Sequence, residues 1–112
     1  PAPTHPPPSE NCTFVIDASA GCGNKYPCNV HLAIRGATEK GYDFVEAWRA
    51  TNRTSPLAAL GVADNRAARL SGTIRYNQTL TTATGMLVVR FTSDAGVIAA
   101  GWSARWSTAG LN

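Results

Sequence analysis

Histidine, lysine, methionine and acidic residues are all scarce in this chain, and each shortage removes a class of explanation. Among 112 residues there are two histidines, His5 and His31, with two lysines, one methionine and seven acidic residues. Neither histidine neighbours a nucleophile motif, so acid–base or nucleophilic chemistry has little to be built from, and the chain is read as non-enzymatic. A glycine-rich phosphate loop is absent. Charged residues are only 15% of the chain, against 44% hydrophobic, which excludes a charge-solvated disordered chain. No apolar run is long enough to cross a bilayer as a helix. The net charge of +3 comes from arginines and lysines spread along the sequence. Arg66 and Arg69 with Arg75 come nearest to a basic patch, but no nucleic-acid motif or basic helix accompanies them. This charge is expected to be a solvated surface, with no nucleic-acid partner.

What the chain does have is apolar alternation, in a length that makes one domain with about two-thirds of its unfolded surface buried. The clearest case is residues 86–106. Leu87, Val89 and Phe91 point one way and Met86, Val88 and Arg90 the other, then Trp102, Ala104 and Trp106 alternate with Ser103 and Arg105. Further strands are predicted over 13–17 and 30–35, from Tyr42 onward, and over 57–60 and 71–76. Residues 63–69 are expected to be irregular with one helical turn, and 77–85 to be a threonine-rich loop. Trp48, Trp102 and Trp106 are expected in the core. The sum is an all-β, antiparallel β-sandwich over 11–112.

Residues 1–10, PAPTHPPPSE, predict an extended polyproline II tail, because each proline removes an amide donor and forces its predecessor out of the helical region. Pro6, Pro7 and Pro8 are the residues expected to dock such a tail on a neighbouring subunit; the alternative is a linker. The three cysteines permit one internal bridge in three ways. Cys22 with Cys28 is preferred, since Gly and Pro inside the short loop allow a tight ring, and Cys12 is then left over, buried or joined to another subunit. Zinc held by Cys22, Cys28 and His31 is a weaker alternative, because the spacing fits no common zinc motif. Asn11, Asn52 and Asn77 each open an N-glycan acceptor pattern, which points to a secreted, extracellular glycoprotein.

Four stretches resemble the CUB domain family in the family's own order. FTSD, six residues, then GWSARW is similar to its C-terminal signature, while NCTFVIDA at 11–18, YDFVEA at 42–47 and the 57–61 stretch resemble earlier strands. The resemblance implies a CUB-like jelly roll lacking the usual first strands. Three of the four usual cysteines are missing; Cys12 matches the second, and Lys40 and Ala63 stand near two of the vacant positions. It also implies a calcium site. In calcium-binding members the Asp of the Tyr-Asp motif and the Asp of the C-terminal motif are ligands, with a Glu upstream. Asp43, Asp94 and Glu39 take those places here, with Glu39 in a shortened loop, and such oxygen donors suit calcium. Without it, Asp43 and Asp94 are expected to bond backbone amides at a loop end.

A sandwich without its opening strands exposes a sheet edge, and an unpaired edge is a template for another chain. Together with the tail and the odd cysteine, this leads to a self-assembling structural subunit of an extracellular filament, matrix or coat, in contact with its own copies or with neighbouring extracellular proteins. The rival expectation is a calcium-dependent adhesion module that receives a basic side chain or a glycan.

Overall fold

The computed structural model describes residues 12–92 and 101–108. Among these, the strands are β1 Cys12–Asp17, β2 Cys28–Ala37, β3 Phe44–Arg49, β4 Arg66–Leu70, β5 Thr73–Thr82, β6 Met86–Thr92 and β7 Gly101–Thr108. They form two antiparallel sheets, one of four strands in the order β1-β6-β3-β4 and one of three in the order β5-β2-β7. The architecture is an all-β sandwich. The proline tail lies outside the described residues.

Alternation builds the core. Val30, Leu32 and Ile34 from the centre of one sheet meet Leu87, Val89 and Phe91 from the other, and Ile16, Val45 and Ile74 close the gap. Each such side chain contributes about 1.5–3 kcal/mol on burial. Trp102 packs edge-on to Phe14 and tilted to Phe91, both with ring centroids 5.9 Å away. β6 is buried on its second face too, where Met86 and Val88 pack with Trp48, Ala50 and Ala59. Trp48 and Trp102 are buried, and Trp106 is half-buried against the core.

Three sequence expectations are corrected here. Residues 57–60 do not form a strand: Pro56–Ala59 is a 3₁₀ turn, with proline pre-set for its first position, and it covers the outer face of β6. Residues 63–69 contain a 3₁₀ turn, Ala63–Asn65, but then continue as β4. A register shift between Ala47 and Trp48 pairs Arg69 with Glu46 and Arg66 with Trp48. Such a bulge lets two arginines three apart share one face, which plain alternation forbids. Finally, β5 runs on through the predicted loop as far as Thr82. Its threonines face solvent on one side, and Leu80 and Thr82 are buried on the other.

Gly36 fixes how closely β7 can approach β2. Its φ is +141°, and a Cβ there would collide with the carbonyl oxygen of Gly101. Only glycine combines that backbone with that approach.

Candidate functional site

The loop 38–43 leaves β2 and is fastened to the turn between β4 and β5. Thr38 is buried; its amide donates to the Gly72 carbonyl at 2.9 Å, its hydroxyl donates to the Asp43 carbonyl at 3.1 Å, and the Gly72 amide donates to that hydroxyl at 3.0 Å. The Asp43 amide in turn donates to the Glu39 carbonyl at 2.9 Å. The loop thus brings Glu39 and Asp43 together, with Asp43 buried and Tyr42 beside it 63% exposed. Asp94 lies outside the described residues. Among the described residues, no three His, Cys, Asp or Glu side chains converge as a metal-binding group.

At the opposite end of β2, Cys22 and Cys28 are joined with their Cα atoms 5.7 Å apart. The zinc reading through Cys22, Cys28 and His31 therefore does not hold; the His31 ring is instead 3.1 Å from the Thr79 hydroxyl. Cys12 is half-buried at the start of β1, packed on the core. Asp17 caps the nearby 3₁₀ turn by accepting from the Ser19 hydroxyl and, at 3.0 Å, from its amide. Those bonds hold its carboxyl below the ordinary value.

Of the three asparagines that open an acceptor pattern, Asn52 sits on an exposed turn where its side-chain oxygen accepts from the Thr54 amide at 2.9 Å and the Thr54 hydroxyl at 2.8 Å. Asn77 is exposed on β5, opposite Ala33. Asn11 lies outside the described residues, as do Pro6, Pro7 and Pro8.

The three arginines that come nearest to a patch in the sequence do not sit together. Arg66 and Arg69 join Arg90, not Arg75, around one carboxylate on the outer face of the four-stranded sheet. Arg90 reaches Glu46 at 3.1 Å, Arg66 at 3.3 Å and Arg69 at 3.9 Å, with the Glu46 side chain 8% exposed. Aromatic rings complete the cluster: Arg69 lies 3.8 Å above the Phe44 ring, and Arg66 and Arg90 lie 5.9 and 5.6 Å from the Trp48 ring. This network stitches β3, β4 and β6 together, and its arginines are occupied. Arg75 belongs to the other sheet.

The sheet edges differ in what they carry. β4 is guarded by Arg66 and Arg69, β5 holds the Asn77 acceptor, and β1 is six residues long and follows Asn11. β7, GWSARWST, has eight residues with no proline, lysine or acceptor pattern. Among the described residues, no strand pairs with its far side. The sequence places an open edge beside the missing first strands, and β1 does end its sheet; the β7 edge is a further one, decided by long-range pairing, and no local signal in GWSARWST marks it.

Compared with known proteins, the sequence matches no family model and no curated protein.

Proposed function

We propose that this chain is a secreted, N-glycosylated, CUB-like module that works by contact and not by catalysis, as a self-assembling subunit of an extracellular filament, matrix or coat. The observation that carries this reading is the β7 edge. Backbone amide and carbonyl groups along an open edge accept a further strand, and natural edges are normally blunted by lysine, proline or a covering segment. Among the described residues the β7 edge carries a single charge, Arg105, and neither lysine, proline nor a covering strand, so a strand or tail from a second copy can extend the sheet there by augmentation. Proline-rich residues 1–8 suit docking by side-chain contact better than a full ladder, because most of their donors are missing.

A second reading has its own support. Glu39 and Asp43 stand in one fastened loop beside exposed Tyr42, and their carboxylates are the hard donors that calcium takes. With Asp94 they would hold a cation that orders the loop for an adhesion partner. The size of the native protein by light scattering, with and without a calcium chelator, separates the two. A large, regular, chelator-resistant species supports assembly, and deletion of residues 1–10 then tests the tail. A glycosylated monomer overturns assembly. A monomer that binds its target only with calcium present establishes the adhesion module.

A further inference from the structure

Among the described residues, the outer face of the three-stranded sheet is basic and holds no carboxylate. Arg35 on β2 stands directly opposite Arg75 on β5, and Arg105 on β7 stands beside Ala33 on β2. Every other outward position on these strands is His, Ala, Gly, Asn, Ser or Thr. Like charges directly opposite each other destabilise a sheet, and the contrast with the other sheet is direct. There, three arginines share Glu46; here, among the described residues, Arg35, Arg75 and Arg105 make no ion pair. A repulsion left uncompensated in the isolated domain is what an anionic partner would relieve.

The face is also shaped. Because Ala33 is short, a depression of about 320 Å³ opens between Arg35 and Arg105, with Asn77 and Ser103 on its walls. A second, of about 450 Å³ between Arg35 and Arg75, lies on the other side of Arg35. A third, of about 320 Å³, shares Ala33 and Arg105 and ends at His31 and half-buried Trp106. The three adjoin at Arg35, Ala33 and Arg105 and make a grooved face, with guanidinium groups spaced along it and amide and hydroxyl groups between them.

We propose that this groove binds an anionic polysaccharide, sulfated or uronate-bearing. Guanidinium groups take sulfate or carboxylate in paired hydrogen bonds, and Asn77, Ser103 and the threonines of β5 match sugar hydroxyls. Nucleic acid fits less well, because the only rings on the groove, His31 and half-buried Trp106, lie at one end of it and give successive bases no run of stacking platforms. Asn77 is both a wall of the groove and a glycan acceptor. A glycan attached there would start inside the groove, so the form without it is the binding form. The site uses the outward face of β7, not its open backbone edge, and does not depend on self-association.

The test uses the full chain, produced without N-glycans in an oxidising compartment, and titrates it with dextran sulfate, unsulfated dextran and a duplex DNA of matched charge. Dextran sulfate is expected to bind, dextran is not, and affinity falls as salt rises. Arg35→Gln with Arg105→Gln weakens binding at least tenfold and lowers the slope of log affinity against log salt by about two, one per lost contact. Removing two positive charges elsewhere, by Lys25→Gln with Arg53→Gln, leaves affinity within twofold. The altered positions are surface sites, and matching melting curves confirm that each variant is folded. Equal loss in the two variant pairs would reduce the effect to net charge and overturn the proposal. Tighter binding to DNA than to dextran sulfate, or no binding to dextran sulfate, overturns it as well.

Discussion

The hydroxyl of Thr38 is donor to Asp43 and acceptor from Gly72 within one buried pocket of backbone. Thr38→Val keeps the shape and removes both bonds, leaving two buried backbone groups to find other partners. It is expected to cost about 1–3 kcal/mol, read as a lower urea midpoint with an unchanged slope, and Thr38→Ser should recover most of the loss. Little of this was legible beforehand. A threonine ahead of a glycine-bearing turn is common, and only the fold brings Gly72, 34 residues away, into contact. The apolar residues were different. Leu87, Val89 and Phe91 announced their shared face through alternation alone, because side-chain direction in a strand is local geometry. Glu46 falls between these cases. It stands in an apolar run, but its three arginines come from β4 and β6, and no spacing along the chain connects them.

At the level of elements, strands with a clean period of two were predicted close to their observed ends, as with β1, β2 and β6. The others failed for physical reasons. β4 was hidden by the bulge that puts Arg66 and Arg69 on one face, and the latter half of β5 was hidden by threonines that suit strand and loop alike. Residues 57–60 look like a short strand by composition, yet the proline before them and the outer face of β6 below them favour a 3₁₀ turn. The pairing of β2 with β7 rests on Gly36. Gly36→Ala places a methyl group against the Gly101 carbonyl in a backbone region that L-residues avoid. The expected cost is about 3 kcal/mol or more, from backbone strain and overpacking together. Hydrogen exchange should show it first as lost protection along β7, with β1 and β6 affected only through global unfolding.

For the whole molecule, the Cys22–Cys28 bond restrains the unfolded chain more than it shapes the folded one. The chain-entropy estimate for so short a loop is about 2 kcal/mol. Reduction, or a Cys22→Ser with Cys28→Ser variant, should lower the melting temperature while leaving the far-ultraviolet circular dichroism of the folded protein unchanged. A variant that no longer folds would show instead that the 3₁₀ turn Ser19–Cys22 needs the covalent tie to pack. The two sheets also divide the arginines unequally. On the four-stranded side they are gathered around Glu46, while on the three-stranded side they stand in the open. Among the described residues, the sandwich therefore has an electrical front and back. Approaching a negatively charged wall or fibre, it would be turned by the field before touching, so that the three-stranded sheet arrives first. Two copies joined β7 to β7 in one continuous sheet would present their fronts to the same side, as a pair with one broad adhesive surface.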